Sequence, residues 1–251
     1  MSRPVRVLRL TLTLVPLFLV ACGGGSCPER KAPTPLDHDT TGSIVGAVTF
    51  HGDPPPAPPV PLDRSCSALH EGAVTAGDVL VKNHRVQNAF VYIREGLGDR
   101  VFPQPTAAVE IDQKGCLFVP RVAAAETCQE IVFLNSDPVL HNVHGFPKTS
   151  SAWNFSLSQA GSRRSVRVPA PEAMIRVGCD VHPWMQSYVG VVSHPYFAVT
   201  GADGAFALKD VPPGDYVVAS WHERFGTREQ KVKIDPKQEQ TIAFAYGGAG
   251  N

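Results

Sequence analysis

The sequence predicts an all-β protein built in two pieces. Short β-branched and aromatic runs recur along the chain, 23 Pro and 22 Gly punctuate them, and no long, capped pattern of 3.6-residue period appears. Ser43–Phe50 (SIVGAVTF) opens the series and ends at Pro54-Pro55-Pro56, which cannot continue a central strand. Val86–Arg94 follows, with Phe90 and Tyr92 on one face. The middle of the chain offers Ala108–Ile111, Glu130–Leu134, Ser165–Val168, Met174–Val177 and Tyr188–Val192. Ala205–Leu208, Tyr216–Trp221, Gln230–Ile234 and Gln240–Ala245 close it, and Ser65–Glu71 is the best candidate for a short helix.

Ahead of these strands, Arg3, Arg6 and Arg9 precede an apolar run from Leu10 to Ala21, the pattern of a secretory signal and too short to span a bilayer. The run ends in Leu19-Val20-Ala21-Cys22-Gly23, which resembles the bacterial lipobox. That resemblance implies lipidation at Cys22, removal of residues 1–21, and an exported protein tethered in the cell envelope, at the outer membrane if the source is Gram-negative. Loss of three arginines from 23 basic residues against 23 acidic ones leaves a formal charge of −3. That balance excludes a nucleic-acid binder relying on a basic surface. Residues 22–40 carry Gly and Pro without apolar periodicity and read as a flexible tether.

The chemistry concentrates in two segments. Cys179-Asp180-Val181-His182-Pro183-Trp184-Met185 places a thiolate, an imidazole and a thioether at spacing Cys-x2-His-x2-Met. That donor set suits copper in a trigonal electron-transfer site, provided a second histidine joins it. Asn135-Ser136-Asp137-Pro138-Val139-Leu140-His141-Asn142-Val143-His144 offers two. On an extended segment His141 and His144 face opposite sides, so one metal takes one of them; His141 is the preferred ligand and His144 its rival.

Together the two segments resemble cupredoxins of the amicyanin and plastocyanin kind over roughly residues 105–193. The resemblance implies a Greek-key copper domain with one type 1 copper held by His141, Cys179, His182 and Met185. Asn142 would hydrogen-bond the ligand loop and, with His144, stand just outside the ligands. It also implies that the edge of His182 emerges through an apolar patch that docks a redox partner such as a c-type cytochrome or a dehydrogenase. Pro183, Trp184 and Phe146 are the candidates for that patch, although core packing is an equal reading of Trp184.

Ala202-Asp203-Gly204-Ala205-Phe206-Ala207-Leu208 and Val211-Pro212-Pro213-Gly214-Asp215-Tyr216 resemble the carboxypeptidase regulatory-like (transthyretin-like) β-sandwich, in which Asp-Gly and Pro-Pro-Gly make tight turns. The opening strand of that family matches Thr41–Phe50, far upstream, so the sandwich reads as split. It takes residues 41–100 and 194–248, with the cupredoxin domain at 101–193 between them. The chain is also similar to exported two-domain proteins labelled methylamine-utilisation proteins.

An exported protein keeps disulfides. Cys66–Cys116 is the favoured pairing and Cys116–Cys128 the alternative, with Cys27 incidental in the tether. Cys66 and His70 also form a Cys-x3-His pair that fits either a second metal site or a disulfide beside a surface histidine. Trp221 reads as an aromatic packed on the core, and His38, His51 and His84 as solvated. No phosphate loop or nucleophile elbow occurs, so nothing in the chain points to an enzyme. The expected function is therefore an electron carrier. The alternatives are a copper-delivery protein or a structural, carbohydrate-binding lipoprotein without metal.

Overall fold

The computed structural model describes residues 27–248, so the signal segment and Cys22 lie outside the described residues. The chain begins with β1 (Gly42–His51), a single helical turn α1 (Arg64–Ser67), β2 (Val81–Lys82), β3 (Arg85–Val86) and β4 (Phe90–Glu95). Its middle supplies β5 (Val109–Gln113), β6 (Phe118–Val119), β7 (Val122–Glu126), β8 (Ile131–Asn135), β9 (His141–Phe146), β10 (Trp153–Leu157), β11 (Arg163–Val166), β12 (Glu172–Gly178) and β13 (Gln186–Val192). It closes with β14 (Phe197–Val199), β15 (Ala205–Val211), β16 (Gly214–His222), β17 (Gly226–Ile234) and β18 (Glu239–Gly247). The fold is all-β, and each strand expected from the sequence has a counterpart.

The first and last strands meet in one sheet. β1 runs parallel to β18 along its whole length and pairs antiparallel with β15 on its other edge, where β3 and β2 continue the sheet. A second sheet, ordered β14-β4-β16-β17, faces it across a core that includes Ile44, Val48, Val91, Ile93, Leu208, Val218 and Phe244. The Pro212-Pro213-Gly214 turn is held by the buried Tyr216 hydroxyl, which donates to the Pro212 carbonyl at 2.6 Å.

Strands β5 to β13 form two further sheets, β11-β8-β5-β6 and β10-β9-β12-β13-β7, packed around Ile111, Ile131, Phe133, Val143, Ile175, Val177 and Val189. The two pairs of sheets touch through Phe90, Tyr92, Val122, Val192 and Ala219, with Tyr188 against Trp221 at 5.1 Å between ring centroids. Phe90 and Tyr92 point into this contact while Val91 and Ile93 point into the first core. β4 is therefore buried on both faces through its first four residues, which explains its unbroken apolar run. Gly190 is required here, because a Cβ would stand 2.7 Å from the Phe90 ring. Arg121 closes the rim with a bidentate pair to Glu223, the Nη2–Oε2 bond being 2.7 Å.

Four expectations need correction. The run 86–94 is not one strand: Asn88 has φ 63°, and the chain passes from the sheet of β3 to that of β4. The helix is shorter than Ser65–Glu71, ending at Ser67. Cys27 is not incidental but bonded to Cys128. Residues 27–40 accordingly do not hang free: the Arg30 guanidinium donates to the carbonyls of Thr127 and Phe102, and Thr34 N–H donates to Val101. Among the described residues no helix is long and apolar enough to cross a membrane.

Two histidines remote from the sequence motifs are locked neutral. His194 accepts from Tyr196 N–H at Nδ1 and donates from Nε2 to the Ile93 carbonyl, while His222 accepts from Arg224 N–H at Nδ1. Burial is the main cause that depresses both to about 4. Below pH 6.5 the unfolded chain takes up protons that the fold refuses until about pH 4, so stability is full above 6.5 and falls as pH drops. Chemical unfolding at pH 7 and pH 5 is expected to show a loss on the order of 2 kcal/mol per histidine. The loss should shrink in His194→Gln; equal stability of the native protein at both pH values contradicts the assignment.

Candidate metal centre

The candidate ligand residues come from two places that the sheet brings together. His141 is the first residue of β9, reached through the loop after β8. Asn135 shapes that loop by donating to the Val139 and Leu157 carbonyls and accepting from Asp137 N–H. Cys179, His182 and Met185 lie in the connection between β12 and β13. Hydrogen bonds from Met185 N–H to the His182 carbonyl and from Cys179 N–H to the Met185 carbonyl tighten it into a compact turn. β12 pairs with β9, placing the thiol opposite the histidine strand.

The side chains of His141, Cys179 and His182 converge, with one donor atom from each lying within 4.8 Å of the others. The two Nδ1 atoms are 3.0 Å apart, and Cys179 Sγ is 3.8 Å from His182 Nδ1. All three residues are buried, and Cys179 is the free cysteine among the described residues. Met185 is fully buried in the same core cluster. His144 is not part of the convergence: its Nδ1 bonds the Asp180 carboxylate and its ring stacks on Phe146.

Each histidine presents its other nitrogen to a carboxylate. His141 Nε2 donates to Asp137 at 3.0 Å, and His182 Nε2 meets Asp63 at 3.3 Å. Asp137 also accepts from the N–H groups of Gly115 and Cys116, so its carboxyl stays low: burial would raise it, but these bonds and His141 prevail. Burial also works against a charge on His141, yet Asp137 and Cys179 outweigh it and hold the group at about 9. His182 moves down, through burial and then the charge of His141. The Cys179 thiol is lowered despite burial, by His141 and by the N–H groups of Asn142, His182 and Val181.

The groups stand in a chain: Asp137 backs His141, whose Nδ1 faces Nδ1 of His182, whose Nε2 faces Asp63. Two imidazole nitrogens and a thiolate, each fixed from behind, fit a soft or borderline metal ion, and the carboxylates select the tautomers that leave Nδ1 free.

Asn142 organises the surroundings: its N–H donates to Cys179 Sγ at 3.5 Å, and its side chain accepts from Asp180 N–H and donates to Asp180 and Asn154. The expected emergence of the His182 edge is corrected by the structure, since His182 is 2% exposed beneath Asp63. Pro183 is exposed, Trp184 half-buried with its indole N–H on the Cys116 carbonyl, and Phe146 half-buried against Arg176. Cys66 and Cys116 are joined, and His70 bonds the Gly115 carbonyl rather than making a second metal site.

Asp137 and Asp63 were not assigned a role from the sequence. Asp137 carries a local signal, standing four residues before His141. Asp63 carries none: its segment is brought here by the Cys66–Cys116 bond and by Leu62 and Leu69 packing on the core.

No family model matches the chain, and no curated protein matches it. Among solved structures it is similar to a copper-containing nitrite reductase from Thermus scotoductus SA-01, at 18% identity and TM-score 0.33, covering 39% of this chain and 25% of that one. A reduced amicyanin variant matches at 17% identity and TM-score 0.32, covering 35% of this chain and 84% of the other. A purple cupredoxin from Nitrosopumilus maritimus matches at 18% identity and TM-score 0.29, covering 33% and 98%.

Metal uptake must displace the proton held on His141, whose folded pKa of about 9 keeps it protonated at neutral pH. Calorimetric titration with Cu(II) at pH 7 in buffers of different ionisation enthalpy is expected to show release of at least one proton per ion. Affinity should rise about tenfold per pH unit for each proton displaced, up to pH 9. Binding without proton release contradicts a protonated His141 in the metal-free protein.

Proposed function

We propose that this protein is an exported, lipid-anchored type 1 copper protein that carries single electrons between redox partners. The observation that carries the reading is the convergence of His141 Nδ1, His182 Nδ1 and the Cys179 thiol in a buried nest. Copper held there supplies one-electron chemistry by alternating between Cu(II) and Cu(I). His141, His182 and Cys179 would hold it, with Met185 as the weak fourth donor from the same turn.

The chain's own residues supply what such a carrier needs. Asp137 and Asp63 fix the imidazoles from behind, so the rings need not swing between oxidation states. The Asn142 N–H steadies the sulfur, and hydrogen bonds to a metal-bound sulfur tune its potential. Burial keeps bulk water from the donors, which supports electron transfer over turnover. Cys22 would anchor the chain to the membrane, and a c-type cytochrome or an exported dehydrogenase is the class of partner proposed.

A carrier keeps its copper while a delivery protein passes it on. Voltammetry of the copper-loaded chain lacking residues 1–22 is expected to give a reversible one-electron wave, with copper retained when excess Cu(I) chelator is added to the reduced protein. Irreversible reduction with rapid loss of copper to the chelator contradicts the carrier reading and favours delivery.

A further inference from the structure

The fold covers the outer edge of His182 with a segment from the other end of the sequence. Leu62 and Leu69 pack on the metal-bearing core, and Val60 N–H bonds the Val74 carbonyl. Between them Cys66 is fully buried and bonded to Cys116. Asp63 stands at the start of α1 and uses its carboxylate twice. Oδ1 accepts from Cys66 N–H at 2.8 Å and from the Ser65 hydroxyl at 2.7 Å, while Oδ2 faces His182 Nε2 at 3.3 Å.

The same disulfide reaches the other histidine. Cys116 N–H donates to Asp137 Oδ2, which holds His141, and the Cys116 carbonyl accepts from the Trp184 indole, whose ring lies 5.2 Å from that of His182. One covalent bond therefore joins the segment that carries Asp63 to the turn whose N–H groups hold Asp137.

We propose that the segment Val60–Leu69 is a clasp over the metal centre and that Asp63 is its positioning residue, locking His182 with Nδ1 inward so that the ligand neither rotates away nor meets solvent. This rests on the copper reading above and deepens it. A ring free to turn lets a reduced metal leave, and the clasp removes that freedom. Because Nε2 lies beneath the clasp, a redox partner approaching this side meets the clasp and not the imidazole edge.

Asp63 also caps α1, so the test must separate capping from clasping. Serine and asparagine both cap helices well, but neither offers His182 a second oxygen: the serine hydroxyl is too short to reach it, and asparagine, capping with its one amide oxygen, turns an NH2 donor to where Oδ2 stands. In the metal-free protein, carbethoxylation by diethyl pyrocarbonate, followed by mass spectrometry, is expected to spare His182 in the native chain and to modify it in Asp63→Ser. In the Cu(II)-loaded protein, Asp63→Ser and Asp63→Asn, which keep the cap and lose the carboxylate, should both lose metal to a chelator about tenfold faster. Native protection and release rates in Asp63→Ser overturn the clasp. If the native chain takes up no Cu(II), the copper reading fails, and the reagent comparison alone decides whether Asp63 covers His182.

Discussion

Two imidazole nitrogens held 3.0 Å apart in a buried pocket cannot both carry a proton, and much of the surrounding structure follows from that constraint. Either a shared proton or a metal ion must stand between them. Both Nε2 atoms face carboxylates, which leaves the inward nitrogens available as donors. A third donor, Cys179, approaches from the turn after β12, its thiol lowered by the same histidine and by backbone N–H groups. The Cys66–Cys116 bond ties the segment that carries Asp63 to the turn whose N–H groups hold Asp137.

The larger architecture keeps these pieces in register. β4 and β14 are antiparallel neighbours, with Phe197 opposite Tyr92, so the chain leaves one pair of sheets and returns to it at adjacent strands. The residues between them, β5 to β13, form their own two sheets. The interface between the two parts is aromatic and tightly fitted, with Phe90 against Gly190 and Tyr188 against Trp221, and the Arg121–Glu223 pair closes its rim. β13, which ends the ligand turn, contributes Gly190, Val192 and Tyr188 to that contact. The ligand turn is thereby continuous with the seam between the two sandwiches.

Much of this was legible in the sequence, for physical reasons. Strands with β-branched residues and turn-forming flanks declared themselves, and the all-β class followed. β7, β9 and β10 were harder. The first is mostly alanine, and the other two carry histidine, asparagine and serine on a strand whose pairing, not its composition, makes it β. Cys179, His182 and Met185 stood out because a single short turn delivers all three. Asp63 did not: the Cys66–Cys116 pairing is readable, but nothing in the spacing says that the residue three before Cys66 turns its carboxylate to His182. Cys27 was misjudged for the same reason: its segment has no periodicity of its own and is ordered by Cys128 and by Arg30 reaching the Thr127 and Phe102 carbonyls.

The central claim is that Cys179 and two histidines bind copper through a thiolate. The visible absorption spectrum of the Cu(II)-loaded chain lacking residues 1–22, recorded beside Cys179→Ser, tests it most directly. An intense blue charge-transfer band in the native protein that disappears in the variant is the expected result. A colourless native protein, or a band that survives loss of the thiol, would contradict it.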